Sequence, residues 1–114
     1  MPDEQVTSIG KTPSVTALLS YLVNTVPSMP RISAFYGIVI AMYFDDYPPP
    51  HFHAKYGGHE AQIAILTGDI LHGELPRRAL GLVREWADLH RDELLLDWER
   101  AERQEPLASI DPLP

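Results

Sequence analysis

The sequence predicts an α+β domain in which an antiparallel β-meander of about five strands packs on one or two C-terminal helices. Three observations predict it. Residues 31–74 carry their apolar side chains largely with period two. Gly57-Gly58 lies between two such runs, in the position of a hairpin loop. From Pro76 to Arg103 the apolar period becomes helical.

Each element follows from local chemistry. Arg31–Phe35 reads as a short strand, Tyr36-Gly37 as a turn, and Ile38–Phe44 as a second strand rich in β-branched and aromatic residues. The run Asp45–Pro50 (DDYPPP) cannot continue a ladder, because its three prolines lack an N–H. It is a stiff positioning loop. His51–Tyr56 and His59–Leu66 flank the glycine pair, Thr67-Gly68-Asp69 turns the chain, with Asp69 in a turn role, and Ile70–Glu74 is the last strand. Pro76 suits a first helical turn, and Ala79, Val83, Trp86, Ala87, His90, Leu94, Trp98 and Ala101 form one apolar face. This stretch is one helix, or two broken near Arg91-Asp92 with Asp92 as an N-cap; Pro106 stops it, and the tail to Pro114 is expected to fray. The helices cover one sheet face and leave the other free.

The 114 residues divide into an N-terminal extension, 1–28, and a single domain, 29–112. In the extension, Val15–Val26 is the candidate for a secretory core. Ser20 and Asn24 interrupt it and no small-residue cleavage site follows. Thr12 as a cap, Pro13 as the first helical residue, and Val15, Leu18, Leu19, Leu22 and Val26 instead read as a short amphipathic helix. Met29-Pro30-Arg31-Ile32 also reads as an alternative start. No segment approaches the roughly 18 continuous apolar residues of a membrane span, so the expected location is the cytoplasm.

Composition excludes several classes. With no cysteine, a disulfide scaffold, a thiolate zinc site and a cysteine nucleophile are excluded. A net charge of -7 disfavours indiscriminate binding to nucleic acid. Residues 72–114 hold six arginines and ten acidic residues, the density of a solvated helical face. No phosphate loop, dinucleotide fingerprint or serine–histidine motif is present.

With Gly57 and Gly58 as loop residues, Tyr56 pairs with His59, Lys55 with Glu60, His53 with Gln62 and Phe52 with Ile63. Phe52, Ala54, Tyr56, Ala61, Ile63 and Ile65 then form the core face, with His59 at its turn edge. His51, His53, Lys55, Glu60 and Gln62 form a polar face suited to binding. A slip by one residue would bury Lys55 and Glu60. The pair His51-x-His53 presents two imidazoles in one direction and could supply two ligands to zinc, iron or manganese. Asp45 or Asp46, delivered by the proline loop, could complete a site of two histidines and one carboxylate. Proton transfer, polar recognition and a structural role bonded to loop carbonyls stay open for the same histidines. Arg77 and Arg78, with Arg84, could contact a phosphate, or be solvated and pair with Glu74, Glu85 and Asp88. Trp86 and Trp98 belong to the apolar stripe.

Met29-Pro30-Arg31-Ile32, the strand ending in Tyr43-Phe44-Asp45-Asp46, the block Pro49-Pro50-His51-Phe52-His53, Tyr56-Gly57-Gly58, and Leu75-Pro76-Arg77-Arg78-Ala79-Leu80 with Val83-Arg84-Glu85-Trp86-Ala87 carry a resemblance. Over about residues 29–112 the chain resembles domain of unknown function 4160, a family of small bacterial proteins. The resemblance implies a free-standing domain, often encoded beside another small protein in toxin–antitoxin-like gene pairs, with some members labelled transcriptional regulators. It carries no catalytic residues over. Two functions follow as expectations. The first is an interaction module that docks a small cognate protein, encoded nearby, on the polar sheet face. The second is a small histidine- or metal-dependent enzyme, such as a nuclease toxin directed at RNA, for whose metal-dependent form the cofactor would be a divalent metal.

Overall fold

A computed structural model describes residues 30–114. The predicted helix over 15–26 and the questions attached to the extension lie outside these residues. The chain forms β1 (Arg31–Phe35), β2 (Ile38–Ala41), β3 (His51–Tyr56), β4 (His59–Ala64), β5 (Ile70–Glu74), α1 (Arg77–Leu89) and α2 (Arg91–Glu102). The five strands form one antiparallel sheet in sequence order, followed by the two helices, which is the expected α+β architecture. The β3–β4 register pairs Tyr56 with His59, Lys55 with Glu60, His53 with Gln62 and Phe52 with Ile63, as the glycine pair and the charge pattern require.

One sheet face and the helices share a core. Ile38, Ile40, Phe52, Ala54 and Ile63 from the strands meet Val83, Trp86 and Leu94 from the helices, all buried. Trp86 is the central contact: its ring lies 5.4 Å from Phe35 and 5.8 Å edge-on from Phe52, and its indole N–H donates to the Asp111 carbonyl at 2.8 Å. Tyr36 and Gly37 both hold left-handed backbone, with φ of 48° and 80°, which matches the two-residue loop between β1 and β2 to the strand twist.

Several expectations are corrected. The second strand ends at Ala41, not Phe44, because the chain then leaves the sheet to form the proline loop. The fourth strand ends at Ala64, not Leu66, where the turn is closed by bonds from the Ala64 N–H to the Asp69 carbonyl and from the Gly68 N–H to the Ala64 carbonyl, each 2.9 Å. The helices part at His90, one residue before the predicted break, and no side-chain cap is made there, so Asp92 lies inside the first turn of α2. His59 is exposed rather than at a core edge. Arg84 donates to the Gly68 carbonyl at 2.9 Å instead of pairing with an acid. The tail does not fray: Ile110 and Leu113 are buried, and the Ile110 N–H donates to the Ile32 carbonyl at 2.8 Å. Asp97, on the apolar side of α2, is fully buried; its Oδ1 accepts from Arg100 and from the Ala108 N–H, both at 2.8 Å, which ties the tail to the helix.

Candidate metal centre

The outer sheet face is not left open along its whole length. Period two puts His51 and His53 on it, but they are only 3% and 4% exposed, because residues 43–50 fold back over them. Tyr43 stands edge-on to His53 with ring centroids 4.4 Å apart, and Trp98 of α2 lies 5.3 Å from His51. The proline loop, with a cis bond between Pro48 and Pro49, carries Asp46 onto both rings. Asp46 Oδ2 lies 3.0 Å from His51 Nε2 and 3.1 Å from His53 Nε2.

The other ring nitrogens are committed. His51 Nδ1 lies 2.8 Å from the Pro49 carbonyl, which can only accept, so this nitrogen carries the hydrogen. His53 Nδ1 lies 3.2 Å from Glu60 Oε2, and the same tautomer lets this ring donate to that carboxylate while its Nε2 faces Asp46. Both Nε2 atoms then face a carboxylate oxygen with lone pairs. Three acceptors on one point leave a place for positive charge, filled by a metal ion or by extra protons. The set fits a metal. Asp46, His51 and His53 each offer a donor atom, all within 4.8 Å of one another. Bonds of about 2.1 Å at right angles put neighbouring donors about 3 Å apart, which matches the two contacts to Asp46 Oδ2. Two neutral imidazoles and Asp46, with Glu60 behind His53, balance a divalent charge.

Without a metal, protons fill that place instead: burial pushes the Asp46 carboxyl up, but a hydrogen bond from the His53 ring, the Tyr47 N–H and positive charge on the two rings outweigh burial and hold it below its ordinary value. Burial, then Glu60 and Asp46, push the Tyr43 phenol up, so it stays protonated and able to donate at neutral pH. Beside the cluster a cleft of about 260 Å³ is lined by Asp46, Tyr47, Pro48, Pro49, His51, Gln62 and Leu71. A second, of about 350 Å³, is lined by Glu60, Ala61, Gln62, His72 and Gly73, so Gln62 borders both.

The residues singled out by sequence separate into two groups. His51, His53 and Glu60 come together, Lys55 joins through Glu60 at 3.8 Å, and Gln62 lines the approach. Asp45 does not reach the histidines; Asp46, the other acid named with it, does. Asp45 turns the opposite way, its N–H donating to the Ala101 carbonyl at 3.3 Å and its carboxylate accepting from Gln104. Arg77 and Arg78 lie at the start of α1, where Arg78 borders a separate cleft with Tyr36 and Leu82. Tyr43, Trp98 and His72 were not singled out for the site. Continuing the period from Val39 and Ala41 points to Tyr43, and pairing with Gln62 points to His72. No sequence signal brings Trp98 to His51.

The sequence model of a family described as domain of unknown function (DUF4160) matches residues 37–99, more than half of the chain. The match includes every residue of the histidine–aspartate cluster and Glu60. No curated protein and no solved structure matches the chain. Among the described residues no helix is long and apolar enough to cross a membrane.

Proposed function

We propose that this chain, which belongs to the DUF4160 family, is a small metal-dependent hydrolytic enzyme whose ion is held by Asp46, His51 and His53. One observation carries the reading: both Nδ1 atoms are bound to acceptors, while both Nε2 atoms converge on a single oxygen of Asp46. Zinc, iron(II) and manganese(II) suit two imidazoles and a carboxylate. A bound divalent ion would supply Lewis acidity and acidify a coordinated water. The chain's own residues do the rest. Glu60 and the Pro49 carbonyl accept from the imidazole Nδ1 atoms, Tyr43 offers a protonated phenol beside His53, and the clefts at Gln62 admit a substrate. A nuclease directed at RNA is the substrate class to test first, since the outer face carries Lys55 and would carry the ion.

Elemental analysis of protein purified under gentle lysis tests the metal. One divalent transition metal ion per chain is expected, absent from a His51→Ala, His53→Ala double variant that keeps its circular dichroism spectrum. Growth arrest on induction should vanish in the same variant, with RNA cleavage restored to the parent by the ion. Parent protein that takes up no ion after reconstitution sinks the reading.

A second reading keeps the interaction module. Tyr47, 83% exposed, and Leu71, 41% exposed, flank the cleft at Asp46 and favour a protein partner over bare solvent there. Co-purification with the product of an adjacent gene, lost in Tyr47→Ala, supports it; monomers free of any partner count against it.

A further inference from the structure

Two residues without a role in that reading share an uncommon backbone state. Asp45 has φ 52° and Gln104 has φ 55°, both in the left-handed region that few non-glycine residues adopt. They are 59 positions apart, yet the Gln104 side-chain amide donates to Asp45 Oδ2. The Ala101 carbonyl, one of the last of α2 and without a partner inside the helix, accepts from both segments: from the Gln104 N–H at 3.1 Å and from the Asp45 N–H at 3.3 Å. Asp45 directly precedes Asp46. The next residue is fixed too, since the Tyr47 N–H donates to Asp46 Oδ1 at 2.9 Å and leaves Oδ2 for the histidines.

We infer that Asp45 and Gln104 are positioning residues for Asp46: the C-terminal turn of α2 latches the ligand loop and sets the direction of its carboxylate. The inference rests on the metal reading and adds the element that makes the site. His51 and His53 are held by the sheet, but Asp46 sits on a loop, and the contacts that anchor the loop in front of it come from the helical layer. The left-handed Gln104 closes the C-terminal turn of α2, and the latch gives that turn a second residue of the same backbone state to meet, at Asp45.

The test separates positioning from mere stability. Gln104→Gly removes the amide and relieves the left-handed strain, while making the unfolded chain more flexible, so the melting temperature of the metal-free protein should change little. Affinity for zinc or manganese, measured by competition with a chromophoric chelator, should weaken about tenfold, the scale of lost outer-shell support. Asp45→Ala should weaken it similarly, whereas Asp45→Asn keeps an acceptor for Gln104 and tolerates the backbone state, so it should bind close to the parent. Gln104→Asn, which is too short to reach, gives the same reading should the glycine variant fold poorly. Folded Gln104 variants that bind as tightly as the parent overturn the latch alone. A parent that binds neither ion overturns the latch together with the metal reading.

Discussion

At His51 the Pro49 carbonyl imposes the tautomer, at His53 Glu60 can accept from the same nitrogen, and the consequence falls on Asp46. Asp46→Asn replaces the anionic donor while keeping its shape. Zinc or manganese affinity should fall by at least about a hundredfold, whereas Asp45→Asn should leave it nearly intact, as a titration of both variants would show. The same carboxylate has a signature in acid. Its pKa in the folded protein lies below the ordinary 3.8, so its stabilising contribution is complete above that value and is lost as pH falls through the folded pKa. Acid unfolding of metal-free Asp46→Asn, followed by circular dichroism, should therefore be shallower than that of the parent below about pH 4. Equal slopes would show that the histidines do not hold the carboxylate in its ionised form.

Among the elements, β5 depends on one position. Gly73 has φ 79°, and a Cβ there would stand 2.2 Å from the Glu60 carbonyl oxygen. Gly73→Ala should destabilise the domain by roughly 2 kcal/mol or more, through left-handed strain and displacement of β4, and a denaturant melt reads it directly. How far such elements are legible in sequence depends on what enforces them. The β3–β4 register could be read because Gly57-Gly58 sets the loop and because a slip would bury Lys55 and Glu60. The helical stripe could be read from its period, and Trp86 is buried where that period puts it. The site was legible in part: spacing on a strand points His51 and His53 the same way. The choice between Asp45 and Asp46 was not, because it is made by contacts with Ala101 and Gln104, more than fifty residues away. Nor does any pattern show that the loop closes over its own sheet.

For the molecule as a whole, the segment after Pro106 is structural. It has neither period, which is why it reads as frayed, but Ile110 and Leu113 are buried, Asp97 holds the Ala108 N–H, and the Asp111 carbonyl receives the Trp86 indole. Deleting residues 107–114 should cost about 3 kcal/mol or more and lower Tm by roughly 10–20 °C, measured by calorimetry. An unchanged Tm would mean that those contacts are dispensable. The arrangement of the two tryptophans has an optical consequence. Trp86 is sealed in the core against Phe52, whereas Trp98 packs against His51 at 5.3 Å. Cobalt(II) or copper(II) at the cluster should quench Trp98, which lies on a ligand ring, and the measured loss in emission would be read against the parent without metal. If the proposed ion binds, Trp98 emission would report its occupancy, and a Trp98→Phe variant is the blank that calibrates it.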